Sequence, residues 1–490
     1  MTDCGINKEC RAFRRLFTLV VCGIATGCGT PESSPAQPTD QVRVIPQKPT
    51  NEPSSVNDDV LPRDIVDGDH VAASVFRRSQ PDPHLNAKRL AASGIHVLQS
   101  DRLILLTDRD PATVQDLPAI ADALFEHLHQ ACGPLRPTEQ GAEFQAIGCL
   151  MSDVDRFETA GLIPEEIGAL RHGQQWGYRF WVRDQDEVYY RRHLVLHEFV
   201  HVYMTVDTPA NDLLGQWFME AAAELYATHR KAAAGPEFAV MPHGFRGFDG
   251  WGRISAIRRR RIDLPGDGAE RQPLPSLTEV LSGAAGQQVQ DANYRWWWAL
   301  GWMLNRHPNY CDHWEHLCHC RSQTEFDTAF ASLTSVERNR LNTDWLLFCE
   351  SLCGGFDPNR SFARHSPNET YPATVHVLAD QGWQDTGCDV KPEDQLNVSS
   401  SGRCVLNDTT IPWESESNGI TLEYNQGRPI GELVAVLVDS KNAVVSRRMT
   451  VGKEWAWNST TSGRLWLQIN DSEHDRANNS GEYVVQILNE

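Results

Sequence analysis

The sequence predicts a multidomain chain in which a mostly helical α+β domain is followed by an all-β sandwich. Three observations carry that expectation. Its 490 residues exceed what one core of ordinary size needs, and 40% hydrophobic content with 15 Trp supplies material for more than one. Apolar residues recur every three to four positions through most of 190–350. After Asp357-Pro358-Asn359 that period gives way to short alternating runs separated by turn clusters.

In chain order, Lys8, Arg11, Arg14 and Arg15 precede an apolar stretch from Leu16 to Gly27, too short to span a bilayer and patterned as an export signal. Its ending, Ala25-Thr26-Gly27-Cys28, resembles a bacterial lipobox, which implies lipidation of Cys28 as the mature N-terminus; Ala25 stands where that motif usually has Leu. Residues 1–28 are therefore expected to be a lipoprotein-type signal, with the mature chain held at the bacterial cell envelope through its lipid alone. Residues 29–63 are rich in Pro, Ser, Thr and Gln without apolar periodicity, as in a disordered tether.

A folded body is expected over 64–360. His96–Gln99 and Leu103–Thr107 read as strands, and 112–132 as an amphipathic helix. Helical patterns follow over 191–206, 213–232, 294–305 and 342–352. The alternating runs from 374 to 488 place the sandwich at 370–490. With 45 Lys+Arg against 65 Asp+Glu the chain carries −20, and about −22 once the signal is removed, a sign that argues against a nucleic-acid partner. The run Arg258–Arg261 reads as a solvated basic patch.

The chemistry concentrates in Leu194-Val-Leu-His-Glu-Phe-Val-His-Val-Tyr203. His197 and His201 stand four apart on one helix face, able to share an ion, with Glu198 beside them. After eighteen intervening residues comes Glu220, and one turn beyond it Glu224. Two His and a carboxylate leaving one position open form a catalytic zinc set, whereas a structural site wants four protein ligands. This HExxH-x18-E pattern resembles the gluzincin metallopeptidases of the aminopeptidase N and thermolysin type. The resemblance implies a zincin-like fold, Zn²⁺ on His197, His201 and Glu220, and Glu198 as general base. It also implies Glu224 as the acceptor that orients a ligand histidine, and a peptide or protein substrate. It further suggests Tyr294, opening a downstream helix, as an oxyanion donor, with His229 as a rival. The family's Asn-Glu-Gly is here Met219-Glu220-Ala221, so a peptide terminus would be read differently. Asp207, six past His201, competes as a third ligand in the metzincin manner, but Met204 stands where that turn needs Gly.

Between two strand patterns, Asn470 to Gly481 concentrates oxygen ligands of the kind Ca²⁺ takes. Together with 382–387 and 462–465, this loop resembles the calcium-dependent galactophilic lectins of bacteria. There Asp471, Asn478 and Asn479 match the ion ligands and Asp475 a main-chain position, implying Ca²⁺ and a galactose-type glycan. No counterpart to the family's other sugar contacts stands out near Asn425-Gln426-Gly427. The expectation is thus an exported, lipid-anchored zinc metallopeptidase targeted by a lectin-like domain. Its rival is a non-catalytic, glycan-binding adhesion lipoprotein with a vestigial zincin domain.

Thirteen cysteines complete the reading. Four fall at or before Cys28. Cys132 with Cys149, and Cys388 with Cys404, stand at loop-closing separations suited to disulfides. Cys311, Cys318, Cys320, Cys349 and Cys353 remain, as two bridges and a thiol or, with His313, His316 and His319, as a second metal site.

Overall fold

The computed structural model describes residues 85–136, 143–167, 170–208, 212, 214–242, 252–259, 273–286, 292–407, 411–442 and 444–490. The expected signal, Cys28, the tether, and Arg260 and Arg261 lie outside the described residues. The described chain is multidomain, with helices and several β-sheets and a β-rich C-terminal region.

Its first part runs α1 (Ala87–Ala92), β1 (His96–Gln99), β2 (Leu103–Thr107), α2 (Leu117–Ala131), β3 (Ala146–Met151), α3 (Val154–Thr159), β4 (Gly173–Trp176), β5 (Arg179–Arg183) and α4 (Val188–Thr205). The strands form one sheet in the order β1-β2-β3-β5-β4. β2, β3 and β5 are parallel, and the edge strands β1 and β4 are antiparallel to their neighbours. Alternation divides the sheet's two faces. Leu103, Leu105, Ala146 and Leu150 join the large core that holds α2 and α4, while Ile104, Leu106, Ile147, Cys149 and Met151 join a smaller one beneath α1 and α3.

The second stretch holds α5 (Gln216–Ala227), the hairpin β6 (His229–Ala232) and β7 (Gly235–Phe238), α6 (Arg253–Arg259), α7 (Leu277–Leu281), α8 (Ala292–Arg306), α9 (Cys311–His319) and α10 (Gln323–Ser351). The expected helix over 213–232 is shorter. Thr228 leaves helical geometry at ψ 113°, its hydroxyl donates to the Glu224 carbonyl at 2.7 Å, and the chain turns into the hairpin. The pattern at 342–352 is the last third of a 29-residue helix. Beyond its first turn α4 is buried almost all round, as is α5 after Gln216, so the polar side chains they carry lie inside the protein. α8 crosses α5 closely at Gly301, where a Cβ would come within 3.1 Å of the Ala221 carbonyl.

The C-terminal region comprises β8 (Ala373–Leu378), β9 (Gln384–Val390), β10 (Gln395–Val405), β11 (Glu414–Ser415), β12 (Asn418–Asn425), β13 (Arg428–Asp439), β14 (Val444–Val445), β15 (Met449–Thr450), β16 (Glu454–Asn458), β17 (Gly463–Ile469) and β18 (Ser480–Asn489). One sheet is ordered β11-β10-β18-β8 with β16 on β10; the other is β12-β13-β17-β9 with β14 and β15 on β13. Leu433, Ala435 and Leu437 face the core between the sheets, whereas Val434, Val436, Val438 and Trp466 pack outward into the core of the helical part. One strand thus serves two cores, so β13 is apolar on both faces. Arg448 and Glu350, both buried, join the two parts at 3.2 Å.

Neither expected pairing, Cys132 with Cys149 or Cys388 with Cys404, is formed. Cys132 and Cys149 belong to different cores, on opposite faces of the first sheet. Cys388 and Cys404 share the β-region core, but the Cys404 thiol meets Tyr483 Oη at 3.2 Å and the Cys388 thiol the Thr386 carbonyl at 3.6 Å.

Candidate metal centre

Glu187 caps α4 by accepting from the Tyr190 N–H at 2.6 Å, and α4 then carries His193, His197 and His201 at four-residue intervals along one face. α5 packs across it, bringing Glu220 and Glu224, themselves one turn apart, against those histidines. The Nε2 atoms of His197 and His201 are 3.1 Å apart, and Glu220 Oε2 lies 3.3 Å from the first and 3.4 Å from the second. Ligands held at about 2.0–2.1 Å around a tetrahedral zinc are separated by roughly 3.3 Å, so this triangle fits such an ion. Two imidazole nitrogens and a carboxylate converging on one point is also the donor chemistry zinc takes.

Glu198 is buried beside them, its Oε1 without a hydrogen-bond partner. The edge strand β4 passes so close that a Cβ on Gly173 would meet this oxygen at 2.4 Å, so any side chain there would displace the Glu198 carboxylate. Burial pushes the Glu198 carboxyl up to about 7, against the pull of His197 and His201. Glu220 moves the other way. Burial alone would raise it, but the charge on His201 and hydrogen bonds from both histidines hold it down at about 2.

Glu224 supports the ligands. Its Oε1 is 3.5 Å from His197 Nδ1 and 3.5 Å from His193 Nε2. On its other side Arg253, from α6, donates from Nε and Nη2 at 3.0 Å each. The burial cost is outweighed by this guanidinium, and the Glu224 carboxyl sits well below its usual range. A carboxylate fixed as an anion accepts the His197 Nδ1 proton and leaves Nε2 as the lone-pair donor. The Arg253 guanidinium also lies 5.8 Å over the ring of Tyr294, whose centroid is 6.3 Å from that of His197.

The expected zinc set His197, His201 and Glu220 is thus brought together, with Glu198, Glu224 and Tyr294 around it. The competitors lie elsewhere. Asp207 accepts from the Arg136 N–H. His229 stacks on Tyr189 at 4.7 Å, and its Nδ1 faces the Ala227 carbonyl at 2.9 Å; burial lowers its pKa to about 4. His193, Arg253 and Gly173 went unread in the sequence. The four-residue spacing of His193 from His197 was a usable signal; nothing local marks Arg253 or Gly173.

In the C-terminal loop, Asp471 Oδ2 accepts from Asn479 Nδ2 at 2.7 Å, and the side-chain oxygens of Asn478 and Asn479 are buried without partners. That carboxylate and the two orphaned amide oxygens are hard donors suited to Ca²⁺. Asp475 instead turns its half-exposed carboxylate to His474 at 3.1 Å, while its carbonyl accepts from the Asn478 N–H at 3.2 Å. Asn425 reaches the loop, donating to the Asp471 carbonyl at 2.7 Å. Arg476, fully buried, fills the loop's interior, pairing with Glu473 at 2.8 Å and donating to the Ile469 and Asp471 carbonyls at 3.1 and 3.2 Å.

No known family profile matches the chain, and no curated protein matches it. Among solved structures, the EclA N-terminal domain, described as a PllA-like lectin, shows partial similarity. It has 18% sequence identity and a TM-score of 0.20, covering 24% of this chain and 96% of that one.

Proposed function

We propose that this protein is a zinc-dependent metallopeptidase of the gluzincin type. We further propose that it is exported and lipid-anchored at Cys28, and carries a lectin-like C-terminal domain that takes Ca²⁺ and a galactose-type glycan. The observation that supports the enzymatic reading best is the triangle of His197 Nε2, His201 Nε2 and Glu220 Oε2, with edges of 3.1–3.4 Å and Glu198 buried beside it. When bound there, zinc supplies Lewis acidity toward a carbonyl oxygen and acidifies water.

The chain's own residues do the rest. Glu198, buried beside the ligand set, takes a proton from the attacking water and returns it to the leaving amine. Burial keeps bulk water from competing for that proton. Glu224 and Arg253 hold the His197 ring in one tautomer and orientation. Tyr294, beside that ring and beneath Arg253, is the candidate oxyanion donor. In the β region, the support for Ca²⁺ is the chemistry of Asp471, Asn478 and Asn479.

The test is a proteome-wide cleavage profile of wild type against Glu198→Gln, with zinc content measured on both. The expected result is about one zinc per chain in each and cleavage products only with wild type. Equal cleavage by both proteins overturns the general-base assignment, and zinc content far below one in wild type overturns the metal centre.

A further inference from the structure

One member of the cysteine cluster that the sequence left open, Cys318, meets a cysteine from outside it. Cys132 caps the C-terminus of α2, and Cys318 lies in the last turn of α9, 186 positions later in the chain. Both are completely buried in the same core. Arg321 clamps their backbones together, with Nη2 donating to the Cys132 carbonyl at 2.7 Å and Nη1 to the Cys318 carbonyl at 2.8 Å. The next residue on each side is in contact as well, since a Cβ on Gly133 would strike the His319 ring at 2.6 Å. Between the two helices stands Tyr226 of α5. Its hydroxyl accepts from Trp314 Nε1 at 3.0 Å and meets Cys318 Sγ at 3.4 Å. Burial, and the neighbouring Cys132 thiol, push the Cys318 thiol up.

We propose that Cys132 and Cys318 form a disulfide in the exported protein. Arg321 bridges the two backbones and Gly133 lies against His319, so the two thiols sit on chain segments that are already held together. The reaction is thiol–disulfide exchange. Each cysteine loses a proton, one S–S bond forms, and the two electrons reduce a disulfide donor, either a protein of the exporting compartment or oxidised glutathione in vitro. A metal explains the cluster less well: among the described residues, no three metal-binding side chains converge here, and both groups that do converge include His197. The bond would brace α5 from behind through Tyr226, less than two turns from Glu220, so the crosslink and the proposed metal centre share a helix.

The experiment uses the full chain, expressed with its own leader in a bacterium, with thiols alkylated before lysis and peptides mapped without reduction. The expected result is one crosslinked species joining the peptides of Cys132 and Cys318, lost on reduction. Recovery of both cysteines alkylated, or of either one bridged to Cys149 or Cys320, overturns the proposal. A second measurement compares melting of wild type, Cys132→Ser, Cys318→Ser and the double variant. A shared bond predicts that all three variants melt lower by the same amount and that reductant brings wild type down to meet them. Additive losses, with wild type insensitive to reductant, overturn it. Neither readout depends on peptidase activity, so failure of the bridge and failure of the metallopeptidase reading are separable.

Discussion

At the metal centre three ligand atoms face one another across 3.1–3.4 Å, and Glu198 keeps an oxygen without a partner. At the Asp471 loop the polar atoms have largely turned to one another: Asp471 already holds Asn479, and the Arg476 guanidinium occupies the interior. Both places keep buried oxygens without partners, but the first converges three His and Glu ligand atoms, whereas the second offers one carboxylate and two amide oxygens. A site that bears its cost in advance gains most from its ion; a loop whose carboxylate already holds an amide gains less. The predictions below run from the larger effect to the smaller along that contrast.

Removing a ligand should have the greatest consequence. His201→Ala deletes one corner of the triangle, and zinc affinity should fall by more than the roughly 10–100-fold that losing a supporting residue costs. Competition with a chromogenic chelator measures it. An affinity within tenfold of wild type would mean that Glu220 and His197 are not the partners of His201.

The stored cost also has a pH signature in zinc-free protein. Glu198 titrates near 7 when folded and near 4.5 when unfolded, so its folded state binds the extra proton between those values. The stability it contributes is complete below about 4.5 and lost as pH rises through 7, a difference of about 3 kcal/mol. Glu220, lowered to about 2, acts in the opposite sense and below this window. The buried His193, with a lowered pKa, acts oppositely within it, so the informative quantity is the difference between two proteins. Chelated wild type should lose stability relative to chelated Glu198→Gln as pH rises from 4.5 to 7. Parallel denaturation profiles would show that the buried carboxyl carries no such strain.

How much of this could be read in the sequence differs between the regions for a physical reason. His197 and His201 stand four apart on one helix and Glu220 on the next, so spacing alone put the two histidines on one face. Glu224 followed from the need of a ligand imidazole for an acceptor. Arg253 and Gly173 were invisible because each arrives from another element by tertiary packing, one to neutralise Glu224 and the other to make room for Glu198. In the β region the strands at 374, 433 and 465 were legible from alternation, and the observed strands extend them. Arg476 was not, since a buried arginine inside an Asn/Asp-rich loop contradicts its composition and is intelligible only once Glu473 and three carbonyls are seen around it. The cysteines failed for a third reason. Loop-closing separation describes the chain, whereas the opposite faces of a sheet decided that Cys132 and Cys149 do not meet.

Arg253 probes the support of the metal centre. Arg253→Lys keeps the charge but ends the two-point contact with Glu224, because an ammonium cannot present that fork. Zinc affinity should fall about 10–100-fold, with the fold retained by circular dichroism. If Arg253→Lys binds zinc as wild type does while Arg253→Met does not, the charge matters and the orientation of Glu224 does not.

Calcium should produce the smallest effect of the series. Ion binding at a hundredfold excess over Kd stabilises by about 2.7 kcal/mol. Here the Asn479–Asp471 hydrogen bond, of order 1 kcal/mol net, must be surrendered for the carboxylate to turn to the ion. The balance is about 1–2 kcal/mol, or a rise of a few degrees in the melting of the full chain on adding Ca²⁺ after chelation. Asp471→Asn should abolish that rise while leaving zinc content unchanged, because the two sites share no residue. A rise as large as the one zinc produces would reverse the ranking of the two sites, and no rise at all would mean that Arg476 has taken the place of the cation.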